Sequence, residues 1–175
     1  MLARRILFAL ALIYCAGLLP RASAAATTQA APIPPPPEVA GRSYVLIDHA
    51  TGRVLAERNA DQRVEPASIT KLMTAYVAFR ALAEGRLKLD ERISISERAW
   101  RSEGSRTFLN VGDQVPAEVL LQGMIVQSGN DAAVAIAERL AGSEATFAQL
   151  MTEQAKQIGM KNSSFANATG LPDPA

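Results

Sequence analysis

Apolar side chains at Ile69, Leu72, Met73, Tyr76, Val77 and Phe79 predict a helix that starts near Ser68, runs to about Leu82 and stops near Gly85. Those positions make it apolar on much of its circumference, so Lys71 within it calls for a specific role. Upstream, Ser43 to Asp48 and Arg53 to Asn59 read as two strands around a His49-Ala50-Thr51-Gly52 turn, although their alternation is imperfect. Ile93 and Ile95 suggest a short strand, and Ser96 is placed to cap a small helix holding Trp100, a side chain whose expected role is packing. Pro116 fits the first turn of a helix whose Val119, Leu120, Met124 and Ile125 recur at helical spacing and end in a loop at Ser128. A further helix covers Asp131 to Leu140, and another starts at Ser143 and stops at Gly159. Helices running between strands in this way predict an α+β fold, a helical cluster against an antiparallel sheet.

The first 38 residues follow a different pattern. Arg4-Arg5, an apolar run from Ile6 to Leu19, and Ala22-Ser23-Ala24 have the order of a secretory signal peptide, with cleavage expected after Ala24. The run is shorter than the roughly 20 apolar residues a membrane span needs. Leu12-Ile13-Tyr14 lacks the small residues expected just before a lipid-modified Cys15. Residues 25–38, rich in alanine and proline, predict an extended tether, and residues 39–175 the folded domain.

With 18 basic and 17 acidic residues the formal charge is +1. Without residues 1–24, which carry Arg4, Arg5 and Arg21 and no acid, it falls to −2. Nothing in that balance recruits nucleic acid. The chain beyond Ala24 has no cysteine, which excludes disulfides and thiolate metal sites there. Its single histidine, His49, reads as turn polarity and leaves little from which to build a histidine-rich zinc site or a Ser-His-Asp triad. The sequons at Asn162 and Asn167 are taken as coincidence.

Chemistry concentrates in two short segments. Ser68-Ile69-Thr70-Lys71 puts a serine and a lysine three residues apart, about one helical turn, on a shared face. A serine hydroxyl is a weak nucleophile until a base takes its proton, and a lysine serves if its amine is kept neutral by burial or a nearby cation. Ser68 is then the nucleophile and Lys71 its base. Ser128-Gly129-Asn130 brings a second hydroxyl from a separate loop, suited to passing the proton to the leaving group. The Asn130 amide is suited to holding a substrate backbone or orienting Lys71.

Pro66 to Thr74, Gln127 to Ala132 and Asn167-Ala168-Thr169-Gly170-Leu171 together resemble the low-molecular-mass penicillin-binding proteins, the serine D-alanyl-D-alanine carboxypeptidases, over about residues 41–173. That resemblance implies a transpeptidase/β-lactamase-like fold. It also implies a peptidoglycan stem peptide ending in D-Ala-D-Ala as substrate, β-lactams as covalent inhibitors, and no metal or organic cofactor. The family's third motif, K-T-G, has no counterpart, since Ala50-Thr51-Gly52 and Ala168-Thr169-Gly170 both lack the lysine. The expectation is a truncated sequence with most later sheet strands missing, inactive by itself, in which any membrane attachment comes from a missing C-terminal part. A class A β-lactamase is disfavoured because no Glu-x-x-Leu-Asn segment lies between Asp131 and Ala175, and Glu138, Glu144 and Glu153 read as surface charges. An endopeptidase cutting cross-links, or a non-catalytic cell-wall-associated binding module, are the other readings the motifs leave open.

Overall fold

The structure is a computed structural model describing Pro35 and residues 37–173. The leader expected over residues 1–24 and most of the expected tether lie outside the described residues. The described chain forms two units, divided after Ala60.

The first unit is a hairpin. Strand β1 (Tyr44–Ile47) pairs antiparallel with β2 (Val54–Arg58), Tyr44 opposite Arg58 and Leu46 opposite Ala56, with an irregularity between Leu46 and Ile47. That irregularity accounts for the broken alternation in the sequence. At the turn, Asp48 accepts from the Thr51 amide (2.8 Å) and the Thr51 hydroxyl (2.5 Å), contacts that hold its carboxyl below the usual range. Gly52 supplies the left-handed residue at φ +70°. His49 is exposed in this turn.

In the second unit a central helix, α4 (Asn130–Ala141), is packed on several sides. Helices α1 (Lys71–Ala83), α2 (Glu97–Trp100), α3 (Ala117–Val126) and α5 (Glu144–Gln157) all contact it. Ala132, Ala133, Ala135 and Ala137 let these neighbours approach closely, and every residue from Asn130 to Ala137 is buried. Phe147 and Met151 of α5 and Leu120 and Met124 of α3 complete the core. Two caps match their sequence signals: Ser96 accepts from the Ala99 amide and Ser143 from the Thr146 amide. Strand β3 (Arg92–Ser94) pairs antiparallel with β4 (Gln114–Pro116), burying Ile93.

Three expectations change. Pro116 is the last residue of β4 and precedes α3, because its pairing with Arg92 keeps it extended at ψ 140°. Trp100 ends a four-residue helix, too short to carry it inward, and is 40% exposed. The helix after Ser68 is not buried all round. Ile69, Leu72, Tyr76 and Phe79 line up on one face and are exposed, Ile69 at 67% and Leu72 at 72%, while Met73, Ala75, Val77, Ala78 and Ala81 face the core. The apolar circumference read from the sequence is therefore two surfaces, one covered by α3, α4 and α5 and one open.

Candidate active site

Ser68 lies in a single 3-10 turn, Ala67–Thr70, that runs directly into α1 at Lys71. The tighter turn follows from Ala67, whose left-handed backbone (φ +48°) turns the chain after Pro66. Ser68 is exposed, whereas Lys71 is only 6% exposed. Lys71 Nζ donates to Ser68 Oγ at 3.0 Å and to the Thr169 carbonyl at 2.9 Å. Both acceptors are uncharged, and no acid lies within ion-pair distance of Lys71 among the described residues. Burial alone lowers the proton affinity of its amine below the ordinary lysine value. The pair thus joins an open hydroxyl to an amine shielded from water, the arrangement in which a lysine is more often neutral and so available as a base.

The Thr169 carbonyl belongs to the Asn167–Leu171 loop, one of the three segments that carry the resemblance. Asn167 Oδ1 accepts from the Thr169 amide (3.1 Å), the Thr169 hydroxyl (3.1 Å) and the Gly170 amide (2.7 Å), closing a tight turn. Thr74 of α1 donates its hydroxyl to the Ala168 carbonyl at 2.8 Å. Gly170 lies against the turn that carries Ser68: a Cβ there would stand 1.9 Å from the Ala67 carbonyl oxygen, and the residue has φ +80°. Only glycine fits this position.

Ser128 and Asn130 arrive on the turn between α3 and α4. Ser128 is left-handed at φ +58°, a strained conformation for a residue with a side chain, and its Oγ is buried with no hydrogen-bond partner. The Asn130 amide nitrogen donates to the Glu103 carbonyl at 2.6 Å, while its Oδ1 is buried and unpartnered. The second role read for Asn130, orienting Lys71, finds no contact, since the two acceptors of Lys71 are Ser68 and Thr169.

Two buried carboxylates escaped the sequence reading. Asp131 accepts from the Thr107 amide (2.8 and 3.0 Å) and the Leu109 amide (3.3 Å), fastening that segment to the start of α4. Thr107 is wedged beside the turn, its hydroxyl 2.1 Å from where a Cβ on Gly129 would sit. The signal available was an acid in the first turn of a helix, which usually means a favourable dipole contact at the surface. Glu144, read as a surface charge, is 7% exposed; it pairs with Arg98 at 2.7 Å and accepts from the Ala168 amide at 3.2 Å. Its burial depends on partners 46 and 24 residues away, which local pattern does not reveal.

A cleft of about 360 Å³ is lined by Arg98, Arg101, Ser102, Asn167, Thr169 and Leu171 among others, and by none of Ser68, Lys71, Ser128 or Asn130. Its guanidinium groups are already engaged, Arg98 with Glu144 and Arg101 with Glu97.

Among solved structures the chain is similar to the D-alanyl-D-alanine carboxypeptidase DacD from Francisella tularensis, with TM-score 0.76 and 41% identity over 79% of this chain and 33% of that one. It is also similar to penicillin-binding protein D2 from Listeria monocytogenes in its ampicillin-bound form, with TM-score 0.72 and 28% identity over 81% of this chain and 57% of that one. The fold is therefore that of the penicillin-binding proteins, the transpeptidase/β-lactamase-like fold. Among curated proteins, D-alanyl-D-alanine carboxypeptidase DacC of Escherichia coli (strain K12) is 43% identical over 144 residues, 79% of this chain and 36% of that protein. The D-alanyl-D-alanine carboxypeptidase family model matches residues 26–175, and the chain belongs to that family. It spans about a third of the length of the curated carboxypeptidases it matches.

Proposed function

We propose that the protein is a serine-type D-Ala-D-Ala carboxypeptidase that trims the terminal D-alanine from peptidoglycan stem peptides. The observation that carries this reading is the 3.0 Å hydrogen bond from a buried, uncompensated Lys71 to an exposed Ser68. Ser68 Oγ attacks the carbonyl carbon of the penultimate D-alanine as Lys71 Nζ takes the hydroxyl proton. The C–N bond to the terminal D-alanine breaks, its nitrogen receiving a proton through Ser128, and water then hydrolyses the ester on Ser68. Asn130 binds the substrate backbone. Membership of the family and an ampicillin-bound relative support β-lactams as ligands that acylate the same serine.

The reaction is placed outside the cytoplasmic membrane, on the support of the leader read in Arg4-Arg5, Ile6–Leu19 and Ala22-Ser23-Ala24. Among the described residues no helix is long and apolar enough to cross a membrane.

Incubating the full-length protein with a fluorescent penicillin and, separately, with a D-Ala-D-Ala peptide tests the reading. A covalent band that disappears in Ser68→Ala, together with release of D-alanine, is expected. A protein that neither labels nor releases D-alanine would overturn it, and cleavage confined to cross-linked muropeptides would make it an endopeptidase.

A further inference from the structure

Glu144 is the first residue of α5, a position where an acid usually faces water, yet it is nearly covered. Its two oxygens are used separately. Oε2 holds Arg98 at 2.7 Å, and Oε1 takes the Ala168 amide at 3.2 Å. Ala168 is gripped from the other side by Thr74, and the next carbonyl along, that of Thr169, takes the Lys71 amine. Gly170 then seats the loop on the carbonyl of Ala67, the residue before the serine. Hydrogen bonds therefore run from Arg98 through Glu144 to the Ala168 amide, and the backbone carries the connection on to the Thr169 carbonyl that accepts from Lys71.

We propose that Glu144 is a positioning residue for Lys71: by holding the Ala168 amide it keeps the Thr169 carbonyl on the lysine amine and the Asn167–Gly170 loop closed over the turn that carries Ser68. The proposal rests on the reading of Lys71 as the base. The plane of the Thr169 carbonyl is set by the Gly170 amide on Asn167 Oδ1; the bond from Ala168 to Glu144, two peptide units earlier, anchors the start of that turn and so the place where the carbonyl stands. The same closure keeps water from the amine, and that exclusion keeps its proton affinity low.

The charged groups on the helices packed against α1 have other engagements. On α4, Asp131 holds the Thr107 and Leu109 amides, Arg139 pairs with Glu91, and Glu138 acts on Arg98. On α5, Glu153 and Lys156 are exposed, and on α3 so is Glu118. Glu144 thus reaches Lys71 through the loop and not as a counter-charge.

The test is a titration of Lys71 by NMR on full-length protein carrying 13C-lysine, its signal assigned by its loss in Lys71→Arg, with penicillin acylation measured in parallel. In Glu144→Ala the Lys71 titration is expected to move up toward that of an exposed lysine, and acylation at neutral pH to fall by about a hundredfold, the scale of a misplacement near 1 Å. Glu144→Asp, whose shorter side chain does not span from Ala168 to Arg98, serves if Glu144→Ala does not fold, and is expected to show a smaller upward move. Glu144→Gln keeps an oxygen for Ala168 and is expected to leave the titration in place while weakening the contact to Arg98. A folded Glu144→Ala or Glu144→Asp with the Lys71 titration unmoved overturns the proposal, since a merely structural glutamate would lower Tm and nothing else. The titration reads Lys71 whether or not the protein acylates, so failure of the carboxypeptidase reading appears only in the acylation arm.

Discussion

Lys71 has an acceptor for its amine on either side, Ser68 and Thr169, whereas Ser128 Oγ is buried with no partner and Asn130 keeps one buried oxygen unpaired. The two motif-bearing turns are thus satisfied to different degrees. The first is a closed network in which the serine hydroxyl and the lysine amine already touch. The second carries left-handed Ser128 together with two polar atoms whose desolvation is uncompensated, at roughly 1–3 kcal/mol each. Such strained, unpartnered groups are common at functional sites, and on the function proposed they belong to the substrate's side of the reaction. On that same function, the Ser68 turn is preorganised for attack, and the Ser128 turn holds buried polar groups that must be exposed before a bound peptide completes them.

The largest effect expected from breaking the first turn is that of Ser68→Ala, which removes the nucleophile. It should abolish penicillin labelling and lower D-alanine release by about 10⁴-fold or more, with circular dichroism unchanged. Labelling that persists at another serine would contradict the assignment. Lys71→Arg keeps the charge but cannot lose a proton; acylation should fall by about 10²–10⁴-fold, the usual worth of a general base. Near-normal acylation rates in that variant would reduce Lys71 to an electrostatic or packing role.

The second turn should respond in the opposite sense. Ser128→Ala removes a buried, unpartnered hydroxyl, so thermal unfolding should show stability unchanged or raised by about 1 kcal/mol while turnover falls. A variant that loses stability and keeps its turnover would show that Ser128 is structural. Gly170→Ala acts on folding and leaves the proposed chemistry's own groups in place: it forces a Cβ against the Ala67 carbonyl at φ +80° and should cost about 1–3 kcal/mol, measured by denaturant unfolding. A neutral result there would mean the loop moves aside freely, and the closure over Ser68 would lose its support.

Much of this was legible in the sequence because it is local. The Ser68–Lys71 pair needs only helical spacing, and the caps at Ser96 and Ser143 only a polar residue before an apolar run. What was illegible is long-range. Neither the burial of Glu144 nor the fastening of Thr107 by Asp131 follows from the residues beside them in the chain. The open face of Ile69, Leu72, Tyr76 and Phe79 misled the reading in the other direction: apolar residues around a helix predict burial, but periodicity does not say which face another element covers.

The central claim is that Lys71 works as a neutral amine, and the pH dependence of penicillin acylation tests it most directly. Because burial lowers the proton affinity of Lys71, the neutral form grows as pH rises through that lowered value. The acylation rate should therefore climb along a single deprotonation limb lying below the ordinary lysine range near ~10.4, and the limb should be absent in Lys71→Arg. A rate that is flat with pH, or a limb that survives unchanged in Lys71→Arg, would contradict the account.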